Sequence, residues 1–275
     1  MGGGCGPEPS ELDLSVARAR LAATTITCPD GNSYALFGGG VGSGVYNDVD
    51  VINCKFDLST LELSKSRRSL AATTITCNDG NSYALFGGGS SGVFGTTYYN
   101  DVDVLECCDD GTITHTQTIQ LSSARNKLAA TTITYPDGKS YALFGGGNGS
   151  GYVNDVDVLE CCDGTITRTQ TLQLQNARAE LAATTITCPN GKSYALFGGG
   201  NGSGYFNDVD VFECCDVTND IRYKTTLQLS VARSLLAATT FTDCCTNKEY
   251  ALFGGGAIGG TYYNTVNLFD CTNIS

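Results

Sequence analysis

The sequence predicts an all-β fold: a five-bladed β-propeller with four antiparallel strands per blade. Three observations carry that expectation. The stretch "SYALFGGG" at 33–40 returns at 82–89, 140–147 and 193–200, and a fifth copy, with Glu249 in place of the serine, ends at Gly256. The leucine of "RxxLAATT" recurs as Leu21, Leu70, Leu128, Leu181 and Leu236, in steps of 49, 58, 53 and 55 residues. That period is the size of one four-stranded blade, and no 3.6-residue apolar period runs through it.

Each unit reads as the same four elements. The first strand, "LAATTITC" at 21–28, is rich in β-branched residues that suit a pleated surface. A tight turn follows, "PDG" at 29–31 or "NDG" at 78–80, of the kind that closes a hairpin. The second strand is "SYALFG", and its glycine run lets the backbone turn at positive φ and pack closely. A glycine-rich loop leads to the third strand, "NDVDVLEC" at 100–107, in which valine alternates with polar residues. A "DDGT" or "DGT" turn then opens the fourth strand, "TQTIQLS" at 116–122.

The blades read as 18–66, 67–124, 125–177, 178–232 and 233–275, all within a single domain spanning 1–275. The fifth unit ends at Cys271, after its third strand. A matching piece sits at the other end, where "ELDLSVAR" (11–18) repeats "TLQLSVAR" (226–233). Residues 10–16 are therefore expected to complete the last blade, close the ring and hide both sheet edges.

Composition narrows the function classes. The chain has 275 residues, 41% of them apolar, which is enough for a sizeable core. It carries 28 Asp and Glu against 16 Lys and Arg, a formal charge of −12. Such a surface repels phosphate backbones and anionic lipid, so neither nucleic acid nor a membrane surface is an expected partner. No apolar run approaches a membrane span, and the first ten residues have neither the basic nor the apolar region of a signal peptide.

The glycine run after an apolar strand, the "NDVDV" opening of the third strand and the arginine before the first strand together resemble the kelch-repeat family. "ARAELAATTI…SYALFGGG" is also similar to kelch-type repeats in proteins of gut bacteria and their phages. The resemblance covers essentially the whole chain and implies a propeller fold. Two features depart from it: the chain has no tryptophan, where kelch repeats usually carry one in the fourth strand, and five blades is fewer than the six or seven typical of that family.

No enzyme is expected. A copper oxidase of kelch type needs two histidines and the chain has one, His115. Five-bladed glycosidases project carboxylates from their inner strands, whereas the inner strands here carry none before Asp243. The "DVD" pairs (Asp48 and Asp50, Asp101 and Asp103, Asp155 and Asp157, Asp208 and Asp210) could supply oxygen ligands to calcium. No dense acidic loop surrounds them, and the preferred reading is that they cap turns and pair with arginines. Neither a metal nor any other cofactor is expected.

The candidate ligand-binding residues are loop arginines and tyrosines. Arg18, Arg67, Arg125, Arg178 and Arg233 stand at one equivalent position per blade, in the connection between the fourth strand and the next first strand. The loops after each glycine run open on the same side and carry Tyr46, Tyr99, Tyr152, Tyr205, Tyr262 and Tyr263. Tyr, Arg, Ser and Gly on rigidly held loops make a recognition surface. The competing reading is that each arginine brackets the blades through Asp and carbonyl contacts. Arg233, whose blade has "NTVN" in place of the acidic pair, is expected to be the guanidinium most open to an anion.

Fourteen cysteines fall in register. Cys28, Cys77 and Cys188 end first strands, with Tyr135 in the matching place of blade three. Cys54, Cys107, Cys161, Cys214 and Cys271 each stand seven residues after the asparagine that opens a third strand. Bonds within one blade are expected, Cys28–Cys54, Cys77–Cys107, Cys188–Cys214 and Cys271 with Cys244 or Cys245. That pattern favours an extracellular or surface-exposed protein. The resulting expectation is a non-catalytic recognition or adhesion module for a protein or glycan, with a self-assembling structural unit and a five-bladed lectin as alternatives.

Overall fold

The computed structural model describes residues 11–78, 80–92, 97–108, 111–135, 138–214 and 220–274. Five antiparallel sheets stand around one channel, as the repeat predicts. The five first strands, Ala22–Thr27, Ala71–Thr76, Ala129–Thr134, Ala182–Thr187 and Ala237–Thr242, line that channel. In blades one to four the second, third and fourth strands follow outward in chain order. Among the described residues the fifth blade has three strands, ending with Val266–Phe269, and a short helix follows at Cys271–Ile274.

The core lies between blades rather than inside any one of them. Four apolar clusters form, each shared by two successive blades. Between blades three and four, Ile133, Leu143, Val156 and Val158 pack on Ala195, Phe197 and Phe212. The period of two along each strand makes this possible, because alternate residues of one sheet face the blade before and the blade after. A fully buried phenylalanine contributes roughly 2–3 kcal/mol, and Phe86, Phe144, Phe197 and Phe253 are all sealed.

The first glycine of the "GGG" run is a socket for that ring. A Cβ on Gly87 would lie 2.6 Å from Phe144 of the next blade, a distance no side chain can hold. The second glycine answers a backbone need: Gly88 sits at φ +67° with the carbonyl of Arg125 against it. Closer to the axis, threonine hydroxyls join the blades in a ladder. Thr24 meets Thr74 at 2.8 Å, and Thr73 meets Thr132, Thr131 meets Thr185 and Thr184 meets Thr240, each at 2.7 Å.

Two expectations are corrected. The closing strand is not formed: residue 10 lies outside the described residues, and 11–16 pair with no strand of the fifth blade. The segment is held on blade one instead, where the Ser15 N–H and the Arg18 guanidinium both donate to Asp50. The cysteines do bond, but between blades. Cys28 pairs with Cys107, Cys77 with Cys161 and Cys188 with Cys271, with Cα atoms 5.4, 5.3 and 5.7 Å apart. Cys54, Cys214, Cys244 and Cys245 lie outside these bridges. Each first strand leans on the following blade, so its terminal cysteine meets the third strand of that blade rather than its own.

Candidate functional site

The connections from fourth to first strands do share one side of the ring with the loops that follow each glycine run. Single-residue bridges join them: Ala19 with Val41, Arg68 with Ser90, Asn126 with Asn148, Ala179 with Asn201 and Ser234 with Ala257. The arginines expected to bind ligand stand on this side, but their guanidinium groups are turned into the protein. The side chains of Arg18, Arg67, Arg125, Arg178 and Arg233 have no exposed surface.

Each of the first four is held by the second aspartate of a "DVD" pair. Arg18 lies 2.6 Å from Asp50, Arg125 2.8 Å from Asp157 and Arg178 3.0 Å from Asp210, and Arg67 pairs with Asp103. A carbonyl of the second strand takes a further N–H, at 3.0 Å from Phe144 to Arg125 and 2.9 Å from Phe197 to Arg178. The same aspartates accept a backbone N–H from the exit of the preceding blade's fourth strand: Ser64 donates to Asp103, Ser122 to Asp157 and Gln175 to Asp210, each at 3.0 Å. Burial lowers the pKa of Arg67 and Arg178 from the ordinary arginine value, and Asp103 and Asp210 oppose that shift. These groups pin the blades and are closed to a ligand, and the second aspartate of each acidic pair is spent on them.

Arg233 follows the same plan with neutral partners. It donates to Thr265, to Asn267 at 2.9 Å and to the Phe253 carbonyl at 3.1 Å. Burial lowers its pKa, with only Tyr263 in opposition. Arg233 thus has no carboxylate partner among the described residues, as the sequence suggests, yet it is buried rather than open to an anion.

The tyrosines divide into two registers that the sequence does not separate. Tyr46 and Tyr99 directly precede the third-strand asparagine, and their carbonyls each accept the N–H of the next blade's arginine at 3.0 Å. Together with Tyr263 in the same register, they are half-buried. One residue earlier the side chain points outward: Tyr152 is 44% exposed, Tyr205 39% and Tyr262 84%. The first group belongs to the frame and the second to the surface.

A further site, among residues that the sequence does not single out, opens at the axis of this face. One residue in each blade, immediately before the repeated leucine, holds a left-handed backbone without being glycine. These are Arg20, Ser69, Lys127, Glu180 and Leu235, at φ 58°, 54°, 55°, 57° and 57°. Their amides form a staircase about the axis. The Ser69 N–H donates to the Arg20 carbonyl and the Lys127 N–H to that of Ser69, both at 2.8 Å. The Glu180 N–H donates to Lys127 and the Leu235 N–H to Glu180, both at 2.9 Å. The geometry forces a positive φ on whatever residue stands there, at about 1–2 kcal/mol each relative to glycine.

With Leu21, Leu128, Leu181 and Leu236, these five residues line a mouth of about 460 Å³. The second x of "RxxLAATT" varies from blade to blade: Arg, Ser, Lys, Glu and Leu. One flank is cationic, with Arg20 exposed beside the largely buried Arg68, whose pKa is lowered by burial and by Arg20. Lys127 is engaged by Glu180 at 2.7 Å, and the opposite flank is Leu235, 65% exposed.

Comparison with solved structures places this architecture among known ones. The structure of YjhT matches at a TM-score of 0.59 and 15% identity, over 91% of this chain and 81% of that one. This chain shares its fold. A functionally unknown protein from Desulfotomaculum acetoxidans DSM 771 matches at a TM-score of 0.51 and 14% identity, over 90% of this chain and 74% of that one. No family model and no curated protein matches the chain, so the kelch resemblance rests on the residue pattern alone.

Proposed function

We propose that the chain is a non-catalytic recognition module that binds a protein or glycan partner through an acidic group at the axial mouth. One observation carries the reading. The repeats keep their arginines, aspartates and phenylalanines for the frame, and vary at the strained position that rings the mouth. Strain held in five blades at an exposed, variable position is characteristic of a site rather than of packing. In a chain of net charge −12, the exposed Arg20 is a local cation at the mouth suited to a carboxylate or sulfate. Leu235 and the exposed tyrosines supply the apolar contact that a partner of mixed character needs.

The chemistry at the mouth favours binding over catalysis. Its polar groups are arginine, lysine, serine and one ion-paired glutamate, and no pair among them resembles a nucleophile with its base. His115 is far from this arrangement, on a fourth strand, where it contacts the Gln117 carbonyl at 3.0 Å and Thr118 at 3.1 Å. The three inter-blade cysteine pairs are compatible with an oxidising, extracellular setting.

The test is a screen of the purified chain on glycan and peptide arrays, repeated with Arg20→Ser, Lys127→Ser and Leu235→Ser combined. Serine already stands at position 69, so the variant keeps the fold. Acidic probes retained by the parent and lost by the variant support the site. Equal retention by both chains places recognition elsewhere.

A further inference from the structure

Four blade junctions are built within this chain, and between blades five and one the junction is open. The parts that meet at a built junction are all present on the two facing walls, and among the described residues no cluster, bridge or hydroxyl contact joins them across the seam. On blade five, Phe241, Val266 and Leu268 are 46%, 49% and 52% exposed, whereas the equivalent Ile133, Val156 and Val158 are sealed. On blade one, Ala35, Phe37 and Ile52 are half-buried, whereas Ala84, Phe86 and Leu105 in blade two are at 0%. The Cβ position of Gly254 meets Val266 of its own blade instead of an incoming phenylalanine. No hydroxyl contact joins Thr25 to Thr239, although both line the one channel.

The cysteines repeat the pattern. Cys54 is exposed at the position that Cys107, Cys161 and Cys271 use to bond the preceding blade. Cys244 and Cys245 are exposed just beyond the end of the fifth first strand. Residues 11–18 lie where a preceding blade would send its chain: the Ser15 N–H reaches Asp50 at 3.2 Å, the contact that Ser122 makes to Asp157.

From this we infer that the seam is a docking site for one further unit of this same repeat, supplying a fourth strand to blade five and three strands in front of residues 11–16. The occupant follows from continuity with an interface this chain already builds four times. It would bring an isoleucine-bearing first strand against Phe37 and a phenylalanine into the Gly254 socket. Its first-strand cysteine would face Cys54, and its third-strand cysteine would face Cys244 and Cys245. A whole second copy fits less well. Its first blade would match the wall of blade five, and its second would then fall on blade one of the first copy.

The experiment compares the chain with a version extended after Ser275 by a second copy of residues 166–214. Both are examined by light scattering, by alkylation without denaturant, by disulfide mapping and by thermal melting. In the parent, a monomer whose Cys54, Cys244 and Cys245 all alkylate is expected. In the extended chain, the added copy of Cys188 is expected to bond Cys54, alkylation of Cys54 to fall at least tenfold, and Tm to rise. A parent monomer with Cys54 bonded to Cys244 or Cys245 means the ring closes on itself and overturns the proposal. The same bond between two chains assigns the seam to a second copy and also overturns it. An extended chain that folds with unchanged alkylation and Tm overturns it as well. Should the extension not fold, mapping of the parent alone still decides between an open seam and the two closures.

Discussion

Arg125 and Asp157 stand 2.8 Å apart with neither side chain exposed, one of four such pairs that tie a strand-four exit, a strand-one entry and a third strand together. Removing one partner strands a buried charge, so Asp157→Asn and Arg125→Met should each cost about 3–5 kcal/mol. Arg233→Met should cost less, about 1–3 kcal/mol, because Thr265 and Asn267 are neutral acceptors. Urea unfolding of the three variants checks the order. An Arg233 variant as unstable as the Arg125 variant would contradict the account.

The glycine sockets give a sharper contrast. Gly87→Ala drives a methyl into Phe144 and should destabilise by about 1–3 kcal/mol. Gly254→Ala meets only the end of Val266 at 3.2 Å and should change stability by less than about 1 kcal/mol. The comparison is made by thermal melting, and equal losses at both positions would mean that blade one covers Gly254 in solution.

Non-reducing peptide mapping should find Cys28–Cys107, Cys77–Cys161 and Cys188–Cys271. Each closes a loop of about 80 residues, worth roughly 4–5 kcal/mol in the chain-entropy account. Tyr135 stands where the first strands of blades one, two and four carry cysteine, and Cys214 stands on the facing third strand. Tyr135→Cys should therefore add a fourth bridge, to Cys214, visible as one more linked peptide pair. Pairing of Cys28 with Cys54 in native material would restore the within-blade scheme.

The strained ring at the mouth predicts a gain. Ser69→Gly relieves a left-handed φ of 54° and removes almost no side chain, so Tm should rise, by an equivalent of about 0.5–1 kcal/mol. Leu235→Gly should behave similarly, since Leu235 is exposed. A loss of stability in both would mean these side chains pack against something at the mouth.

The repeat made much of this molecule legible in one dimension. "YALFGGG" marks second strands in all five blades, and the recurring arginines and "DVD" pairs suggest mutual neutralisation, while the structure shows that Arg18 with Asp50 and Arg125 with Asp157 pair within one blade. What the sequence leaves open is exposure. An arginine in a connecting segment reads as a surface group, and only the fold shows Arg67 and Arg178 passing beneath the loops to buried aspartates. The position of Arg20, Ser69, Lys127, Glu180 and Leu235 is one of the two that change in "RxxLAATT", and nothing local says that it rings an axis.

By itself, then, the sequence determined the strand order, the five blades and which residues share a face, because the pleat has a period of two and the repeat a period of one blade. Tertiary structure decided which blade each face meets. Cys28 meets Cys107 rather than Cys54, and residues 11–16 stay on blade one rather than joining Val266–Phe269. The physical reason is that pairing within a sheet follows from the alternation along each strand. Contact between sheets depends on the lean and curvature that accumulate from blade to blade. That sum over the whole arc, which leaves Phe241 exposed and Phe37 only half-buried on opposite walls of the seam, is written in no single repeat.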